Sequence, residues 1–433
     1  MQDGRKEAQA PLAETPIAGQ QDPALLFDII QEHYDEATFY LRAWDRALGA
    51  WDHTLGEVRQ GPEEKLRANL DGLLAGGRAA ADRLLWPVLE AGEADHWTEP
   101  AVAALALLTQ PNHATVERVL AQLRPGNAAF LAGVARALEL AQVPELDGQL
   151  REALYRADED MHACILGILA ERRVDPGPLA AAQLQSRDVA TAQAALQAVR
   201  HCPDTSMHVR AVRELLDVAD ARLAGAAVET GLLWGIPAAR SACARLARDR
   251  DPHAMLLTAL IGSEAEQDVI FKAAEDPRHR AAALRALGFA GTARAAETAL
   301  PLLADADKTV ARVAGEAFAT ITGRDLQDGA FAPSDDAAED VPGALPALDA
   351  VAATAWWKSA RSAFPSGVRY LRGGRWPCQD VSALVTRLPM RLRNVVVLEL
   401  AIRKPRSLPV SIRSWAWKQQ AQTDSLLAPA RAG

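Results

Sequence analysis

Few side chains in this 433-residue chain combine in a pattern that could do chemistry. His201, Cys202 and His208 could in principle hold zinc with a fourth ligand from elsewhere. Pro203 between them reads as an inter-helix turn, so the expectation is a pair of solvated histidines and no metal. Cys164 and Cys243 sit in apolar helical runs and read as small core residues. Cys378 follows Trp376 and Pro377 in arginine-rich surroundings that could lower a thiol pKa, yet no histidine can be named as its base. His33 falls on the apolar stripe of a long helix and is expected to be a hydrogen-bonded core residue. The chain has no glycine-rich dinucleotide loop, no phosphate loop, no Gly-x-Ser-x-Gly elbow, no Cys-x-x-Cys and no His-Glu-x-x-His. No catalytic, metal or cofactor residue is therefore assigned, and no cofactor is expected.

A second group of residues suits binding. Residues 350–433 hold 14 Lys/Arg against 3 Asp/Glu, a net of +11, whereas residues 1–349 carry a net of −20. Five of the ten tryptophans lie in the basic part. Trp356, Trp357 and Trp376 are interleaved there with Arg369, Arg372, Arg375 and Arg413. Arginine beside an exposed ring favours contact with an acidic protein or a nucleic acid. These seven are the candidate partner-binding residues. The competing reading docks the basic segment on the acidic part of the same chain, with the tryptophans buried, because charges that cancel internally need no partner. A net charge of −9 for the whole chain lacks the basic footprint of a nucleic-acid-binding protein, so a protein partner is preferred.

The elements that must position these groups are helices. The chain is 49% hydrophobic but only 5% aromatic, and 90 alanines with little β-branching favour helix over strand. So apolar a chain is not disordered throughout, and four cysteines are too few for a disulfide scaffold. No apolar run approaches the ~18 residues of a membrane span, and no apolar leader follows Met1, which leads to the expectation of a soluble, cytoplasmic protein.

Residues 1–21 read as a flexible arm. Asp22 and Pro23 then open a long helix whose apolar face is Leu26, Ile30, His33, Ala37, Leu41, Trp44 and Leu48. Helices from about 62 to 74 and 78 to 90, separated by Gly76 and Gly77, complete an N-terminal cap over 22–94. From 95 to 323 the chain repeats. Asn127, Asp158, Asp188, Asp220, Asp251, Asp276 and Asp307 recur mostly at 30 to 32 residues. Seven residues after each anchor stand Val134, Ile165, Ala195, Ala227, Thr258, Ala283 and Ala314, and an apolar pair usually follows at ten and eleven. The units anchored at Asp220 and Asp251 break the pattern, with Thr230-Gly231 and Ile261-Gly262 at the pair. Two short helices per ~30 residues predict an all-α solenoid of HEAT-like pairs, with the anchor capping the second helix and alanines allowing close crossings. Residues 324–349 are acidic with several prolines and read as a linker, ahead of the basic helical segment 350–433.

The unit from Asp276 to Gly288 resembles HEAT-like repeats of the short kind found in phycobilin-lyase-type proteins. The stretches Glu32–Arg42 and Lys65–Gly76, with Trp356-Trp357, Gly367–Gly373 and Leu398–Ala401, resemble an uncharacterised proteobacterial family of HEAT-like proteins. Arg42 directly after Leu41 departs from that family's Leu-x-x-Arg pattern. The resemblance implies an accessory role among type VI secretion components and effectors. The expected function is a non-catalytic protein-binding scaffold or adaptor acting through a concave helix row. Its alternatives are a lyase-like protein handling a small-molecule cofactor, which needs a ring-lined pocket with a His, Cys or Asp pair, and nucleic-acid binding through the basic segment.

Overall fold

The computed structural model describes residues 23–109, 112–324, 345 and 347–428, with side chains from Phe27 onward. The arm expected at 1–21 and nearly all of the linker expected at 324–349 lie outside the described residues. The described chain is mostly helical. Its strands form one small antiparallel hairpin, β1 (Tyr370–Leu371) with β2 (Gly374–Arg375).

Helix α1 (Pro23–Ala47) buries Ile30, Tyr34, Ala37, Leu41 and Trp44 on one face. His33 on the edge of that face pairs through Nδ1 with Asn69 Oδ1 at 2.8 Å. The helix carrying Asn69, Glu64–Ala75, comes so close that a Cβ on Gly72 would sit 2.5 Å from the His33 ring. The chain reaches this helix earlier than expected, through a turn at Leu55–Val58 where Thr54 and Glu57 form a reciprocal cap. At Gly76 the helix does not stop; a short helix, Gly77–Ala80, and a π-wound turn, Ala81–Leu85, carry the chain on to Trp86–Ala91.

A row of helices follows. These are α2 (Thr98–Leu107), α3 (Ala128–Leu140), α4 (Glu159–Arg172), α5 (Val189–Ala198), α6 (Ala221–Leu233), α7 (Pro252–Ile261), α8 (Arg280–Ala290) and α9 (Lys308–Thr322). Each packs on the next, beginning with α1 on α2, and other helices such as Glu264–Glu275 and Ala293–Ala299 alternate with them along the chain. The residues seven after each anchor are all buried, from Val134 to Ala314. Asn127, Asp188, Asp220, Asp251 and Asp307 accept N-terminal amides of α3, α5, α6, α7 and α9 as N-caps. Asp158 makes no such bond, and Asp276 instead accepts the Arg278 N–H in a turn ahead of α8. Close crossing is visible at Gly288, where a Cβ would meet Ala317 Cα at 3.0 Å.

The irregular unit anchored at Asp220 has a packing cause. The helix Pro237–Arg248 lies against both α6 and α7, and a Cβ on Gly231 would stand 2.7 Å from Ala239 Cβ. An apolar pair at 230–231 has no room there.

The basic segment returns along this row. Tyr370 N–H donates to Gly291 O just past α8 at 2.7 Å, and Arg372 N–H to Thr320 O of α9 at 2.6 Å. Gly323, at φ +70°, must be glycine because a Cβ would lie 2.3 Å from Arg372 O. Helix α10 (Met390–Arg403) follows, and Arg403 Nη2 reaches Leu260 O of α7 at 3.1 Å. Arg406 N–H then donates to Leu233 O of α6, Ser411 Oγ to Glu171 of α4, and Trp415 Nε1 to Leu140 O of α3. The first residue of α11 (Ala416–Leu427) donates its N–H at 2.7 Å to buried Glu63, which also accepts from Trp44 Nε1. At the other end, Arg391 N–H donates to Ala50 O beyond α1 while its guanidinium pairs with Glu316 of α9, so both ends of the row meet there. Helix C-termini expose unpaired carbonyls and a partial negative charge, which suits donors from a segment of net +11.

Candidate functional site

The tryptophans and arginines expected to face a partner are mostly committed within the molecule. Trp357 and Trp376 are buried and Trp356 is half-buried. Trp356 and Trp357 form a ring cluster with Phe318 and Phe364, at centroid distances of 5.2–6.3 Å. Arg369 grips Glu399 with two nitrogens at 2.5 and 2.8 Å and gives Nε to Phe289 O at 2.9 Å. Trp376 Nε1 donates to the same carboxylate. Arg372 holds α9 through its backbone, and exposed Arg413 stands 3.6 Å from Glu139. Only Arg375 and Arg413 of the seven are exposed. The expectation of rings set beside free arginines therefore does not hold at Trp357, Trp376 and Arg369: Glu399 and the end of α8 take the polar groups of Trp376 and Arg369, and the ring cluster buries Trp357.

A different set of residues comes together in a cleft of about 510 Å³ between the row and the basic segment. Arg173, Arg200, His201, Glu229, His253 and Arg285 line one wall; Arg391, Asn394 and Ser411 line the other. Glu229 is doubly held, by Arg200 Nη1 at 2.6 Å and His253 Nε2 at 2.7 Å. Burial alone would raise its pKa, but Arg200 and His253 outweigh that and hold the carboxyl down to about 2. Burial would lower His253, and Glu229 raises it above its ordinary value. His201 is pushed down to about 3, first by burial and then by Arg173 and Arg200, so it is neutral. Glu171 accepts from Ser411 Oγ at 2.9 Å, and Arg391 is paired with Glu316.

Two guanidiniums remain. Neither Arg173 nor Arg285 has a side-chain hydrogen bond or ion pair among the described residues, and Arg173 Nε is buried without a partner. Burial pulls both below the usual arginine value; at Arg285, the more exposed of the two, the charge of Arg391 adds to the effect and that of Glu316 opposes it. Such a site can receive negative oxygen atoms at two places.

One sequence signal could have located this cleft. Nine residues after five of the seven anchors stand Arg136, Gln197, Glu229, Arg285 and Glu316, polar side chains set among mostly apolar positions; Gly167 and Leu260 stand after the other two. Gln197, Glu229 and Arg285 line the cleft, while Arg136 and Glu316 bond the basic segment through Arg413 O and Arg391. His201, Cys202 and His208 do not converge. His208 is buried rather than solvated, Cys202 Sγ contacts Asp175, and no group of three potential ligands that could hold a metal occurs among the described residues. Burial raises the thiols of Cys164 and Cys243 to about 11 and that of Cys202 to about 12. A second cavity of about 460 Å³ is lined by Trp415 and Trp417 with Arg67 and Asp71, and a smaller one of about 180 Å³ by Trp51 with the His53–Asp52 pair.

No helix among the described residues is long and apolar enough to cross a membrane. No protein-family model and no curated protein matches the chain. Among solved structures it is similar to a crystal structure described as an engineered protein from the Northeast Structural Genomics Consortium. The two are 18% identical over 70% of this chain and 86% of that one, with a TM-score of 0.26.

Proposed function

We propose that the chain is an α-solenoid of HEAT-like helix pairs that works as a non-catalytic binding scaffold or adaptor in the cytoplasm, accessory to a type VI secretion effector as its family resemblance implies. The observation that carries the binding role is the cleft: an open recess lined by two guanidiniums, half-buried Arg173 and exposed Arg285, that make no side-chain hydrogen bond or ion pair among the described residues. The basic segment already lies along the row through bonds to α3, α4, α6, α7, α8 and α9, so the partner meets the cleft and not a bare concave face. Nucleic-acid binding through that segment is disfavoured by the burial of Trp357 and Trp376. The lyase-like reading is disfavoured by size: the cavity in which a ring, Trp51, meets a His–Asp pair, His53 and Asp52, holds only about 180 Å³, small for a cofactor. Purifying the tagged protein from its native host at low and moderate salt tests the adaptor role. Recovery of one secretion-related protein at both salts is the expected result; recovery of chaperones and ribosomal proteins alone contradicts it.

A further inference from the structure

Three residues that line the cleft each keep a buried polar atom without a hydrogen bond among the described residues: Arg173 Nε and His201 Nδ1 on the side of the row, and Asn394 Oδ1 on α10. Buried polar groups are normally paired, so these are groups that the chain itself does not satisfy. Each sets a requirement. Arg173 Nε is a donor on a cation. Asn394 gives its amide nitrogen to Leu48 O at 2.9 Å, which leaves Oδ1 as an acceptor. His201 is neutral, and its Nδ1 donates or accepts according to the tautomer. A hydroxyl does both, so it answers Asn394 and either form of His201. Charge adds to this. Four arginines and two glutamates line the cleft, and Glu316 beside it answers Arg391, which leaves one positive charge in excess before His253 is counted. Leu256, Val397 and Val410 offer apolar surface to a carbon skeleton. The volume of about 510 Å³ falls within the ~300–1,000 Å³ of small-molecule sites.

We propose that the cleft is a binding site for a small hydroxylated organic anion, with its carboxylate or phosphate on Arg173 and its hydroxyls on Asn394 and His201. The bond from the guanidinium is charge-assisted and contributes more than either neutral one. The inference goes beyond the adaptor reading: a ligand of this size needs no protein partner, and recovery of a partner from the native host bears on that reading alone.

Isothermal titration calorimetry of the full chain at ~50 mM salt tests this. Gluconate and glucose 6-phosphate each combine hydroxyls with an anionic group, whereas glucose, acetate and inorganic phosphate each carry one of the two features. The expected result is that gluconate or glucose 6-phosphate binds about tenfold or more tightly than any of the three simpler probes. Whichever of the two binds better identifies the anionic group as carboxylate or phosphate. Arg173→Gln should weaken that binding about tenfold, the effect of losing a charge-assisted bond, and Asn394→Leu about fivefold, the effect of losing a neutral one. His201→Phe takes the place of Asn394→Leu if that variant fails to fold, with the same expected loss. A control, Arg78→Gln, removes a side chain that is 93% exposed and lies outside the cleft, and should change affinity by less than about twofold. Binding of both hydroxylated anions no tighter than that of the simpler probes overturns the proposal. So does unchanged affinity in Arg173→Gln, or equal weakening by the control.

Discussion

Substitution of Glu399 tests how the basic segment is held. Glu399 is fully buried on α10, and its carboxylate accepts from Arg369 Nη1 at 2.5 Å, Arg369 Nη2 at 2.8 Å, Arg403 Nε at 2.7 Å and Trp376 Nε1 at 3.0 Å. The same arginines extend to Phe289 O and Leu260 O, so one carboxylate fixes α10 against the ends of α7 and α8. Glu399→Ala leaves Arg369, whose side chain is only 18% exposed, without its anion. Removing one partner of a buried pair costs ~3–5 kcal/mol. Arg403, 45% exposed, lies in a screened setting where a pair contributes ~1 kcal/mol or less. Glu399→Ala is therefore expected to cost about 4 kcal/mol and Arg403→Ala about 1 kcal/mol, read by urea unfolding with tryptophan fluorescence. The double variant with Arg369→Ala should cost well under the sum of the single ones, since both remove the same pair. A cost for Glu399→Ala no larger than that for Arg403→Ala would refute the assignment.

Two further outcomes follow from the geometry. His201 is neutral in the folded chain but takes up a proton below about 6.5 when unfolded, so the unfolded state binds more protons and stability falls as the pH drops from about 6.5 toward 3. His201→Gln should lose less melting temperature than the wild-type chain between pH 7 and 4; an equal or larger loss would contradict the burial of this ring beside Arg173 and Arg200. Gly72→Ala drives a methyl into the His33 ring and should destabilise by about 1–3 kcal/mol. Gly167→Ala, inside α4 with open space around its Cβ, should stabilise by about 0.5–1 kcal/mol. Thermal melts that rank the two variants the other way would show that the close helix crossing at Gly72 is misjudged.

The helical character and the periodic core were legible because they are local. An aspartate cap, a Pro at the first turn and a buried residue seven positions on each act within one helix, and Asp251, Pro252 and Thr258 show all three. Asp276 looked equivalent in sequence but caps a turn, since Arg278 takes its carboxylate and α8 begins only at Arg280. The irregular unit at Thr230-Gly231 was visible as a break, yet its cause is the approach of Ala239 from another helix. The direction of the charge split was also legible, though not its destination. Arg369 and Glu399 are 30 residues apart, and Trp415 and Leu140 are 275 apart, with nothing local to join them. The cleft was least legible, because Arg173, Arg200, Glu229, His253 and Arg285 come from five different repeats and converge only through the stacking of the row. The recurrence of polar residues nine positions after the anchors was its one trace.

The central claim is that the basic segment is an internal brace and that binding falls to the cleft it leaves open. Hydrogen exchange of four backbone amides tests this most directly. Tyr370, Arg372, Arg406 and Ala416 donate to Gly291 O, Thr320 O, Leu233 O and the Glu63 carboxylate. In a docked segment these amides exchange far more slowly than in an unstructured peptide, within the range of the row helices. Exchange of all four at unstructured-peptide rates would mean that the segment lies free, and would contradict the account.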